Sequence, residues 1–160
     1  MIDSIPTTAQ PLPGSATTGR VVPTGNNTVF FAIIARMKAY WLVFVGAGAG
    51  SVLRYVAGRF VPITFIGSSF PMAILLVNVL ASAVLGVVVG WAMSRTVGEE
   101  ARLLLGVGFC GGLSTFSSFS YDTVALLQNG RTGAALLNIG LNVMLCLLAS
   151  VGGLALGQKL

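Results

Sequence analysis

The segment from Gly106 to Asp122, GVGFCGGLSTFSSFSYD, constrains this chain more than any other, because it sets a glycine pair and five Ser and Thr residues inside an otherwise apolar stretch. A helix that meets only lipid has no use for such a pattern. Paired glycines free the backbone from helical geometry, and non-helical backbone at membrane depth must be buried in protein or line a polar path. The segment therefore reads as a discontinuous span, leaving the helix near Gly111, that carries a site.

Composition supports a membrane setting. With 55% hydrophobic and 8% charged residues among 160, the chain suits several spans without a soluble domain. It has no histidine, four acidic residues and two cysteines, Cys110 and Cys146. Most metal and nucleophile constellations therefore cannot be assembled. Both cysteines fall in expected spans and read as buried thiols, not as a disulfide framework. The nine basic residues give a net charge of +5 but are scattered, not massed in one block. That distribution argues for topology charges and against a nucleic-acid partner.

Residues 1–36, rich in Pro, Thr, Gly and Ser, lack apolar periodicity and are expected to form a disordered tail. Residues 37–160 are expected to form one transmembrane domain. Its four spans, 39–57, 71–93, 103–128 and 132–157, are each near the roughly 20 residues a bilayer core requires. The apolar patch at 29–35 precedes Arg36 and Lys38, the wrong order for a cleaved signal. It lies at the interface or extends the first span, with Tyr40 and Trp41 as headgroup anchors. Short connections make consecutive spans antiparallel neighbours, so the fold class is an all-α membrane bundle with its third helix broken.

Glycines recur four apart at 46 and 50, 86 and 90, 108 and 112, and 153 and 157. Small residues on one face let helices approach closely, which is how spans associate in lipid. Packing is the expected role of most of them, with function reserved for Gly111 and Gly112. The side holding both termini and the second loop carries Arg36, Lys38, Arg95, Arg102 and Lys159, against Arg59 and Arg131 opposite. This excess favours a cytoplasmic N-terminus.

Several polar groups stand at membrane depth. Asn78 is alone in an apolar run and needs a partner to offset desolvation. Asn138, Asn142, Cys146 and Ser150 follow a four-residue step, a stripe that faces protein or water and not lipid. Arg54 snorkels or faces a water-filled vestibule. Phe116 and Phe119 share a helical face, and aromatic ring edges carry positive quadrupole character that can meet an anion without a tight grip. Of the hydroxyls at Ser114, Thr115, Ser117, Ser118 and Ser120, two or three are expected to bond back to helix carbonyls. Ser117 and Ser118, beside the Phe pair, are the better candidates to donate to a small anion. Carbonyls exposed by the break suit a hard cation such as Na⁺.

The stretch GFCGGLSTFSSFSYD resembles the GFxGGxTTFSTFxxE signature of the small fluoride channels, the Fluc or CrcB family. GAGAGSVLRY at 46–55, LLVNVLASAVLG at 75–86 and the polar stripe from Asn138 to Cys146 agree in the family's order. Together they cover everything after about residue 39. The resemblance implies a passive, fluoride-selective channel, not an enzyme, that exports cytoplasmic fluoride across the inner (plasma) membrane as an antiparallel, dual-topology dimer. It implies that Phe116, Phe119 and Asn78 line the pore, with Asn138, Asn142 and Cys146 as a polar track and Arg54 concentrating anions near a mouth. It also implies a structural Na⁺ on the backbone carbonyls of Gly111 and Ser114. Departures from the pattern are Ser114 for Thr, Ala73 and Ile74 for Gly-Thr, Asn138 for Tyr, Cys146 for Ser, and Asp122 for Glu.

The expected partners are fluoride, the bilayer and a second copy of the chain, or a different subunit in a heterodimer. One alternative is a non-conducting subunit of such a heterodimer. Another is a small proton-coupled multidrug exporter. The exporter needs an ionisable proton carrier within the membrane, yet the expected first span has no acidic residue and the chain no histidine.

Overall fold

The computed structural model describes residues 25–61, 64–65, 68–94 and 97–160. Four helical segments in it are long and apolar enough to cross a membrane: Ile33–Phe60, Met72–Ser94, Glu99–Gln128 and Thr132–Gly157. They are called the first to fourth spans below. The loop between the first two carries a small antiparallel ribbon, Thr64–Phe65 paired with Ser68–Ser69.

The first helix runs from Gly25 to Phe60, 36 residues or about 54 Å, and so begins well before the expected start at 39. The boundary of the expected tail accordingly moves, since residues 25–36 are helical and residues 1–24 lie outside the described residues. The apolar run before Arg36 contains neither Gly nor Pro, so nothing stops the helix from extending the span backwards. Lys38 on this helix pairs with Glu100 at the start of the third span, tying the two at one end of the bundle.

Glycines set the packing. Gly46 and Gly50 lie against the backbone of Leu104, Phe109 and Leu113, while Gly108 and Gly112 lie against Val43, Gly46 and Ala47. Gly86 and Gly90 meet Ser150 and Leu154, and Gly153 and Gly157 meet Ala83 and Val87. A Cβ at any of these eight positions would run into backbone of the facing helix. The expected pairs thus resolve into two interfaces, first span on third and second span on fourth. Between them sits a small core of Val77, Ala81, Cys110 and Leu113.

The third span is the irregular one. Arg102–Cys110 winds as a π-helix, Gly111–Leu113 as α-helix, and Phe116–Gln128 as a second α-helical half. The break lies between them, with Ser114 extended at φ −72°, ψ 153° and Thr115 at φ −152°, ψ 116°. This corrects the expected position of the break. Gly111 has helical angles, φ −64° and ψ −36°. Gly112 is spent on close approach to Ala47, so packing keeps it helical and the chain opens two residues later.

Candidate functional site

The break is built by hydrogen bonds that replace the helix's own. In an unbroken helix the Thr115 N–H would reach the Gly111 carbonyl; here it donates to Asn78 Oδ1 at 2.8 Å. The Thr115 hydroxyl then caps the second half, accepting from the Ser118 N–H at 3.2 Å, an N-cap of the Ser/Thr type. At the other lip, the last carbonyls of the first half are orphaned. Ser114 O accepts from the Arg54 guanidinium at 3.2 Å, and Gly112 O from the Ser51 hydroxyl at 3.4 Å. Arg54 is thus half-buried on the break, because a cation at this depth needs an acceptor.

Over the break lies a groove of about 260 Å³, whose lining includes Asn78, Ser114, Thr115, Phe116, Phe119 and Asn142, together with Cys146. Phe116 and Phe119 are in tilted contact, ring centroids 5.5 Å apart, and Phe116 is 80% exposed. The groove therefore brings together five of the eight expected pore residues: Asn78, Phe116, Phe119, Asn142 and Cys146. The other three are elsewhere. Ser117 and Ser118 bond to the Thr115 hydroxyl at 3.2 and 3.1 Å, beside the groove lining. Asn138 is only 1% exposed, behind Asn142.

These asparagines form one chain of amides. Asn78 Nδ2 donates to Asn142 Oδ1 at 3.1 Å and more loosely to Thr115 O at 3.4 Å. Asn142 Nδ2 donates to both Oδ1 and the main-chain O of Asn138 at 3.0 Å. Asn138 Nδ2 donates to the Thr123 hydroxyl at 2.9 Å, which donates to Phe119 O at 2.7 Å. Ser114 and Ser120 bond back to Cys110 O and Phe116 O, both at 2.9 Å, as expected for two of the five hydroxyls. Sequence reasoning assigns no separate role to Thr115 or Thr123; the signal for the first is a threonine directly before a helical run, three residues ahead of Ser118.

Asp122 belongs to a different space. With Asn129 and Arg131 it lines a cavity of about 510 Å³ whose lining also includes Gly58, Pro71 and the start of the second span. Ala73 and Ile74 line the same cavity, so these departures fall there and not in the groove. Cys110 and Cys146 are both free thiols. Among the described residues, no group of three or more Cys, Asp or Glu side chains is placed to hold a metal ion.

Residues 41–154 match the family described as CrcB-like protein, Camphor Resistance (CrcB). The chain is 45% identical over 121 residues to the fluoride-specific ion channel FluC of Pyrococcus furiosus, covering 74% of this chain and 94% of that one. It is 44% identical over 119 residues to the protein of the same name in Shewanella frigidimarina, with coverage of 74% and 92%. Against that of a Thermus thermophilus strain it is 42% identical over 124 residues, with coverage of 78% and 97%. The matched segment begins in the first span and ends in the fourth, and takes in the groove, the break and the interface glycines other than Gly157. The chain belongs to the CrcB-like protein family.

Proposed function

We propose that this chain is a fluoride-selective channel that lets cytoplasmic fluoride leave the cell passively across the plasma membrane. The observation that carries the reading is the groove, where an aromatic pair and the amide of Asn78 meet at a helix break in a chain akin to proteins named for fluoride. A neutral amide N–H and positively polarised ring edges attract a small anion without the grip of an ammonium, which favours release. Asn78 has one donor held only loosely, at 3.4 Å by Thr115 O, and this donor turns to the anion. Ser118 accepts from Thr115 and keeps its own hydroxyl hydrogen for an anion or its water. Chloride is excluded by the narrowness of the path.

Export needs no covalent chemistry. HF crosses membranes as a neutral weak acid and ionises in a near-neutral cytoplasm, so fluoride accumulates. A passive pore then lets the negative-inside potential drive it out, protecting the cell from fluoride toxicity.

The working unit in this reading is an antiparallel dimer of two copies in opposite orientations, and a homodimer before a heterodimer. Phe116 stands 80% exposed and Gly111 faces open space, which suits a face completed by a second copy. A structural Na⁺ suits the same place. Gly111 O has lost the Thr115 N–H as a helical partner, and backbone carbonyls are the hard oxygen donors Na⁺ takes. Ser114 O already accepts from Arg54 and retains one lone pair, so the fit there is shared and not exclusive. The ion would neutralise carbonyl dipoles at the break, and Arg54 does part of the same work from within the chain.

The test is fluoride efflux from liposomes containing only the purified chain, followed with a fluoride electrode and repeated with chloride. The reading expects rapid loss of fluoride and retention of chloride. Retention of both would leave the alternative of a subunit that conducts only with a different partner, and release that depends on a proton gradient would favour an exporter.

A further inference from the structure

The chain of amides behind the groove has one direction, and that direction decides what Asn78 can offer. Thr123 closes it at the far end: its hydroxyl hydrogen is committed to Phe119 O at 2.7 Å, so towards Asn138 it can only accept. Asn138 must therefore turn its NH₂ to Thr123 and its oxygen to Asn142. Asn142 in turn spends its NH₂ on Asn138 O and Oδ1 and presents its oxygen to Asn78. Asn78 is left with its NH₂ towards Asn142 and its oxygen towards the Thr115 N–H. Both ends of the chain are anchored at the same half-helix, at its N-cap Thr115 and at Thr123, which bracket the Phe pair.

We infer that Asn138 and Thr123 are positioning residues for fluoride passage: neither lines the groove, and with two main-chain groups, the Asn138 carbonyl and the Thr115 N–H, they hold the amide direction of Asn142 and Asn78. This rests on the channel reading above. If the direction reversed, Asn78 would face the Thr115 N–H with its own NH₂, two donors would oppose each other, and the break would lose the acceptor that replaces Gly111 O. The asparagine at 138 is matched to a hydroxyl at 123 by this requirement, since a side chain with both a donor and an acceptor must stand between Thr123 and Asn142. Its burial at 1% exposure means that no water substitutes for a lost partner without a rearrangement.

The test compares Thr123→Val, which keeps the shape and removes the hydroxyl, with Thr123→Ser, which keeps the hydroxyl, and with Asn138→Leu. Each is reconstituted as the full chain and assayed for fluoride efflux, with melting temperature and size-exclusion profile measured on the same preparations. Thr123→Val and Asn138→Leu are expected to lower efflux about tenfold or more with unchanged assembly, Thr123→Ser to stay within about twofold of the parent, and the double variant to be no worse than the poorer single one. Efflux unchanged in Thr123→Val, or lost only together with assembly, or lost equally in Thr123→Ser, would overturn the inference.

A second measurement does not depend on conduction. The side-chain amide resonance of Asn78, which Thr123 does not hydrogen-bond, is expected to move in Thr123→Val and to stay in Thr123→Ser. An unmoved resonance rejects the relay even in an active channel. A parent chain that passes no fluoride but shows the moved resonance rejects the channel reading and keeps the relay.

Discussion

At the scale of single residues, the site works by where donors and acceptors point. Phe116 and Phe119 touch each other at 5.5 Å between ring centroids yet leave Phe116 largely open, and the proposed channel puts this pair on the fluoride path. Phe116→Ile and Phe119→Ile are each expected to lower fluoride flux about fivefold, the scale of an aromatic contact of roughly 1 kcal/mol, while leaving assembly intact by size exclusion. Loss of assembly along with flux would make them core residues. Ser114→Ala removes only a back-bond to Cys110 O, worth about 1 kcal/mol or less. Because Ser114 contributes to the break through its main chain, flux and its response to Na⁺ removal are expected to match the parent. Asn78 and Asn142 were legible in the sequence as polar groups needing partners at membrane depth. The inward turn of Asn138 was not, because a four-residue step drifts by about 40° per step around a helix and a stripe's two ends need not share one surface.

At the scale of elements, the four spans were legible because apolar runs of membrane length have few other outcomes. The glycine pairs were equally legible, since residues four apart share a face. What escaped the sequence was fixed by tertiary contact. The break falls at Ser114–Thr115 and not at the glycine pair because Gly112 is needed against Ala47 and Asn78 takes the Thr115 N–H. The π winding of Arg102–Cys110 left no mark, as its residues suit an α-helix as well. Glycine position now yields a matched prediction. Gly50→Ala and Gly112→Ala each drive a methyl into facing backbone and are expected to cost about 1–3 kcal/mol, seen as a lower melting temperature in detergent. Gly48→Ala and Gly133→Ala meet nothing within 4 Å and are expected to leave it unchanged or raise it.

At the scale of the whole molecule, the question is how copies sit in the bilayer and what crosses it. The loop charges, Arg36, Lys38, Arg95, Arg102 and Lys159 against Arg59 and Arg131, give a modest orientation bias, which suits a chain that inserts both ways to form an antiparallel dimer. With Cys110 and Cys146 replaced, a cysteine introduced at Gly98 in the second loop is expected to react with an impermeant reagent in a substantial minority of molecules. Labelling near zero or near completion would mean one orientation and an oppositely inserted partner of another kind. The most direct measurement of the central claim is the reversal potential of the purified chain in a planar bilayer under a tenfold fluoride gradient with chloride equal on both sides. A fluoride-selective pore sets it at about 59 mV in magnitude, with the sign of an anion current; a reversal potential near zero, or no current at all, would contradict the account.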